Sequence, residues 1–259
     1  MDIYNFWKDA PDKTYDIEPL WNNFVESYGG ERIDKLISSS PKFANADYIF
    51  SDNNVIIELK EVTKDFMTGL SFKRKYIKLI DRIIDENPSW KPIMLGGDGT
   101  MPSWYPMEFI KICRNPLNGI LKKANKQLRE TKEYFDIQSN SGIVVIVNDG
   151  FTSLEHEYIQ AVIANLLQYS YSSIDCLIYT TVNRYVKLDN IDTPCLLWIP
   201  MYSDRAPSEL VDYINSLGKN WGDYLEEKMG NFTFREASND CNLIKGAKSI
   251  LLPDEKRTR

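Results

Sequence analysis

Histidine is almost absent from this chain. His156 is the only one among 259 residues, which removes hydrolases built on paired histidines. It also leaves the serines, Ser38, Ser39 and Ser40 included, with no triad partner at useful spacing. His156 opens the amphipathic pattern EHEYIQAVIANLLQY and is expected to be a surface residue near a helix start. Cysteine is scarce and scattered. Cys113, Cys176, Cys195 and Cys241 form no Cys-x-x-Cys pair, so zinc ribbons and disulfide frameworks are not expected, whereas a reducing cytoplasm is. No run of about 18 apolar residues occurs, so no membrane span is expected. The acidic opening MDIYNFWKDAPDKTYD lacks the apolar stretch of a secretory signal. There is no Gly-x-x-x-x-Gly-Lys-Ser/Thr phosphate loop. Positive charge is not in excess either: 31 Lys and Arg against 37 Asp and Glu give a formal net charge of −6. No global basic field therefore advertises a nucleic-acid partner. If the chain is an enzyme, its chemistry rests on carboxylates and lysine, with or without a metal.

What is present is globular. Apolar residues at 43% and charged residues at 26% argue against disorder. The length suits one domain, 1–259, of α/β type with a mixed sheet. Helical spacing of Leu20, Phe24, Ile33, Leu36 and Ile37 predicts a helix over about 16–38, interrupted at Gly29-Gly30. Two strand-like runs around Ser51-Asp52-Asn53-Asn54 predict a β-hairpin whose second strand covers 55–62. An amphipathic helix over 71–87 leads into a stretch with Pro88, Pro92, Pro102 and Pro106 and Gly96, Gly97 and Gly99, read as a loop-rich insertion. A helix over 118–135 and a buried strand over 143–147 follow. The last third predicts a helix over 154–169, strands over 175–181 and 195–201, and a helix over 207–228, with a mobile tail at 253–259.

Three residues of the hairpin carry chemistry together. Side chains alternate along a strand, so Glu58 and Lys60 share a face, and Asp47 on the preceding strand can come opposite them. Two carboxylates on adjoining strands, with the main-chain carbonyl of Leu59, make a site for a hard cation. Mg²⁺ suits it, and Mn²⁺ is an alternative. A lysine two residues on can hold or help deprotonate an attacking water.

Asp47, ten intervening residues, then Glu58-Leu59-Lys60 resembles the PD-(D/E)xK signature of the restriction-endonuclease-like superfamily. Residues 16–149 can be read in that superfamily's order of helix, three-stranded meander, helix and strand. The resemblance implies a restriction-endonuclease-like mixed central sheet flanked by helices, with a core at about 16–150, an insertion at 63–117 and a C-terminal α/β extension at 151–252. It implies Mg²⁺-dependent hydrolysis of DNA phosphodiester bonds, as an endonuclease serving restriction, phage defence or repair. RNA stays open as substrate, and a homodimer or protein partner would serve cutting of both strands. Asp47 and Glu58 would hold the metal with Leu59, Lys60 would position the water, and Gln127 would assist from the helix before the last core strand, where Lys123 shares its face. Of the first-helix carboxylates Glu18, Glu26 and Glu31, Glu26 is preferred. Ala46 stands where many members carry proline.

Bases concentrate on both sides of this motif. Lys64, Lys73, Arg74 and Lys75 follow it, and Lys122, Lys126 and Arg129 lie on the later helix. They read either as phosphate contacts or as ordinary solvated helix faces. Leu95-Gly96-Gly97-Asp98-Gly99-Thr100 is similar to the glycine-rich loop of NAD and diacylglycerol kinases, but no second kinase motif accompanies it and a turn in the insertion is the preferred reading. Trp90, Trp104 and Tyr105 there are packing residues or stacking contacts. The rival to catalysis is a non-catalytic, nuclease-fold binding or regulatory subunit. A separate, plainer alternative for the motif is that Glu58 and Lys60 are the solvated face of an edge strand.

Overall fold

The computed structural model describes residues 14–37, 41, 43–189, 191–238 and 240–251. The amino-terminal segment, the Ser38–Ser40 run and the tail at 253–259 lie outside them.

Helix α1 (Ile17–Ser27) buries Ile17, Leu20, Trp21, Phe24 and Val25 along one face. Pro19 is tolerated because first-turn amides have no intrahelical acceptor. The chain does not resume as a long helix after the glycines, as the periodicity had suggested. Gly29 takes a positive φ of 88°, and Gly30 packs so closely that a Cβ would stand 2.6 Å from the Phe50 ring. A short strand β1 (Glu31–Arg32) and a single turn α2 (Ile33–Leu36) follow. Apolar spacing alone could not separate these from helix, because Ile33 is buried either way.

The hairpin is as expected: β2 (Tyr48–Phe50), a turn closed by Asn54 in the left-handed region, and β3 (Val55–Val62). Helix α3 (Leu70–Glu86) comes next, then α4 (Tyr105–Phe135), which starts 13 residues earlier than the spacing predicted. Pro106 sits in its first turn and Pro116 in its interior. An interior proline costs about 3 kcal/mol, and the buried stripe Cys113, Leu117, Leu121, Ala124, Leu128 offsets it. Much of the insertion is therefore helix. The sequence similar to a kinase phosphate loop has no strand before it. Ile93–Leu95 form one 3-10 turn ending at Gly96.

Strand β4 (Ser141–Asn148), α5 (His156–Ser170), β5 (Cys176–Thr180), β6 (Val186–Lys187), β7 (Trp198–Tyr202), α6 (Ser208–Met229) and β8 (Lys248–Ser249) complete the chain. One six-stranded mixed sheet runs β1-β2-β3-β4-β5-β7, antiparallel at both edges and parallel across β3-β4-β5. One face, with Ile56, Val144, Ile146 and Tyr179, packs under α4 and α5. The other, with Val55, Ile57, Val145 and Ile178, packs under α1 and α6. The C-terminal third is thus not an appendage, since β5 and β7 extend the same sheet and α6 shares a core with α1.

His156 does open a helix but is not on the surface. It is wholly buried, with Nδ1 2.7 Å from Tyr179 Oη and Nε2 3.0 Å from Ser249 Oγ. Asn148 Nδ2 donates to the same Tyr179 oxygen at 2.7 Å. Every atom is satisfied when Tyr179 donates to Nδ1 and the Nε2–H donates to Ser249. Burial pushes the imidazole down from 6.5 to about 4. The unfolded chain then binds the extra proton first, so this residue contributes stability above 6.5 that is lost as pH falls toward 4. His156→Ala is expected to cost about 3 kcal/mol in urea denaturation at neutral pH. A loss under about 1 kcal/mol would mean that the network holds nothing together.

Candidate active site

The site lies where β2 leaves the ladder. Tyr48 pairs with Ile57, and the Asp47 amide still donates to the Ile57 carbonyl at 3.2 Å. One residue earlier the pairing stops. The Ala46 amide turns to Thr131 Oγ1 of α4 at 2.8 Å, while Gln127 Nε2 donates to the Asn45 carbonyl at 2.9 Å and Glu130 accepts the Ala44 amide at 2.8 Å. Three successive residues are thus held by one face of α4, away from β3. Asp47 takes the vacated ladder position, and its Oδ2 accepts the Leu59 amide at 2.7 Å. The N–H and C=O of a strand residue point the same way, so the Leu59 carbonyl also faces Asp47, with no ladder bond from Ala46.

Glu58 is 0% exposed, on the α4 face of the sheet. Its Oε1 pairs with Lys60 Nζ, and its Oε2 is buried with no hydrogen-bond partner. Burial, then the neighbouring charge of Asp47, pushes the Glu58 carboxyl up to about 8, although Lys60 opposes the shift. Burial also raises Asp47, against the Leu59 amide and Lys60. Desolvation pushes both carboxyls toward the neutral form, Asp47 adds to this at Glu58, and a neutral Glu58 would hydrogen-bond the Asp47 carboxylate, so the pair is short of positive charge.

The sequence-derived residues are placed as follows. Asp47, Glu58, Leu59 and Lys60 come together. Gln127 does not touch the carboxylates; it holds the Asn45 carbonyl and so positions the segment that presents Asp47. Lys123, one turn earlier on α4, is exposed. Glu26, the preferred first-helix carboxylate, is ion-paired with Lys35 at 2.5 Å on the surface. Glu18 is the first-helix carboxylate whose charge reaches Asp47. Thr131 and Glu130 were missed, since nothing in their spacing says that they bind backbone amides 85 and 86 residues away in sequence.

The basic residues differ in their partners. Lys126 and Arg129 lie along Glu130 and Glu133, at 3.6 to 3.8 Å. Lys64, Lys73, Arg74, Lys75 and Lys122 are exposed. In the loop at the end of α3, Trp104 Nε1 donates to Glu86 and Arg82 stacks on its ring at 3.9 Å, while Trp90 Nε1 donates to the Thr100 carbonyl. These tryptophans brace the loop. Cys113, Cys176 and Cys195 are free thiols. No helix among the described residues is long and apolar enough to cross a membrane.

Fold and site together define an α/β protein with a mixed six-stranded sheet and a carboxylate pair, Glu58 buried and Asp47 half-buried, beside a lysine. No family model, curated protein or solved structure matches the chain.

Proposed function

We propose that this chain is a metal-dependent nuclease of the restriction-endonuclease-like type, hydrolysing DNA phosphodiester bonds as an endonuclease. The observation that carries the reading is the unsatisfied acid pair. Asp47 and Glu58 face each other across β2 and β3, Glu58 Oε2 lacks a partner, the Leu59 carbonyl is released from the ladder, and Lys60 stands on Glu58. Oxygen donors short of positive charge suit Mg²⁺ or Mn²⁺. Among the described residues no group of three or more acidic, histidine or cysteine side chains assembles, so this cation would have two carboxylates, one carbonyl and water. The element order supports the same reading, with a helix, a three-stranded antiparallel meander, helices and a parallel strand.

A bound divalent cation supplies Lewis-acid stabilisation of the phosphoryl charge. The chain's own part is to hold it through Asp47, Glu58 and Leu59 and to place Lys60 Nζ where it orients water and passes a proton. Gln127, Thr131 and Glu130 keep Asp47 in place. Exposed Lys64, Lys122 and Lys123 are the cations suited to phosphates approaching this end of the sheet.

The test is thermal denaturation with Mg²⁺, Mn²⁺ or EDTA beside a cleavage panel of single-stranded, double-stranded and branched DNA and RNA. Metal-dependent stabilisation with cutting is expected. Neither stabilisation nor cutting would sink the reading and leave a non-catalytic binding subunit. Cutting of RNA alone would keep the site and replace the substrate.

A further inference from the structure

Helix α3 has two apolar faces. Phe72, Leu79 and Ile83 are buried, with Phe72 and Tyr76 meeting Phe109 of α4. On the outside, Leu70, Ile77 and Ile84 recur every seven residues and are 72%, 56% and 44% exposed. A helix apolar on both sides is ordinarily covered on both, and residues seven apart stay within about 20° of each other on one helix face.

The charges on this helix are divided by sign. Its first half carries Lys73, Arg74, Lys75 and Lys78 and no acid; its second half carries Asp81, Asp85 and Glu86 against Arg82 alone. Arg82 and Glu86 pair with each other at 2.9 Å, while Arg74 and Asp81 have no ion pair among the described residues. Such a helix is complementary to itself run antiparallel. A nucleic-acid backbone laid along it would instead meet three carboxylates.

We infer that the outer face of α3 is a homodimer seam, with two copies packing α3 antiparallel about a two-fold axis near Ile77. Leu70 then meets the partner's Ile84 and the two Ile77 side chains face each other. At about 100° per residue Arg74 and Asp81 lie on the same flank of the stripe, so each Arg74 stands beside the partner's Asp81. Every contact occurs twice, as an isologous interface requires. The turn Ile93–Leu95, which follows α3 in the chain, is exposed and apolar as well. The seam stands whether or not the carboxylate pair cuts DNA.

Sedimentation of the full chain, from about 1 to 100 μM, tests it. A species of twice the 30.0 kDa chain mass is expected to form. Ile77→Glu, a surface change that leaves circular dichroism unaltered, is expected to raise the dimer dissociation constant about a hundredfold. Arg74→Asp and Asp81→Arg each weaken the dimer, and the double exchange restores it. A monomer throughout this range overturns the proposal. So does a dimer indifferent to Ile77→Glu, or a double exchange that fails to rescue. Unchanged mass with weakened DNA binding in Ile77→Glu and Arg74→Asp would also overturn it, and would assign the face to nucleic acid.

Discussion

Under the proposed nuclease function, Lys60→Met is expected to lower metal-dependent DNA cleavage by about 10²–10³-fold, the usual cost of losing one preorganised group at a developing charge. The cation site should survive. Asp47, Glu58 and the Leu59 carbonyl are untouched, so metal still stabilises the fold, although the removal of Lys60 takes away a charge that favours ionised Glu58. Stabilisation by Mg²⁺ therefore shifts to higher pH in this variant, while cleavage does not recover there. Asp47→Asn is different in kind. It keeps an acceptor for the Leu59 amide but halves the negative charge of the pair, so metal stabilisation and cleavage disappear together. Initial rates on the preferred DNA and melting temperatures against metal concentration read both effects. Full cleavage by Lys60→Met would remove the lysine from the mechanism, and metal stabilisation intact in Asp47→Asn would place the cation elsewhere.

Metal-free protein is expected to lose stability as pH rises from about 5 toward 8. In the folded state burial and Asp47 hold the Glu58 carboxyl neutral up to about 8, against an ordinary 4.5. Between those values the unfolded chain has released this proton and the folded chain has kept it, so stability falls with rising pH. Asp47, also raised, acts in the same direction. His156 acts oppositely but only below 6.5. The comparison of wild type with Glu58→Gln isolates the carboxyl. Glu58→Gln should flatten the profile and melt several degrees higher than wild type at pH 8 in EDTA. Saturating Mg²⁺ should reverse the wild-type trend, since binding releases the proton that burial retained. Parallel profiles for wild type and Glu58→Gln would show that Glu58 is ionised in the fold without metal, and the charge-deficient site would be wrong.

Both expectations rest on three residues that strand alternation alone placed together. Glu58 and Lys60 had to share a face because the side-chain period of a strand is two, and the Asn-rich turn brought Asp47 opposite them. The hairpin, the buried strand at 141–148 and the helices around 156–170 and 208–229 were legible for the same reason: each is a long, strongly periodic segment. Boundaries were legible only where punctuation and packing agreed. Gly29 ended α1 as expected, yet Pro106 and Pro116 did not prevent a 31-residue helix, because a buried stripe offset the missing amide.

The sequence by itself determined the α/β character, the hairpin, and the chemical type of the candidate site: two carboxylates and a lysine. The tertiary structure alone decided which groups are satisfied. It buried His156 between Tyr179 and Ser249, drew the 44–46 backbone to α4, and left Glu58 Oε2 without a hydrogen-bond partner. It also left the outer stripe of α3 in solvent. Local patterns report which faces are apolar, because periodicity is a property of neighbours along the chain. Desolvation and hydrogen-bond partnership depend on residues tens to hundreds of positions apart, and only the packed sheet and helices bring those within reach.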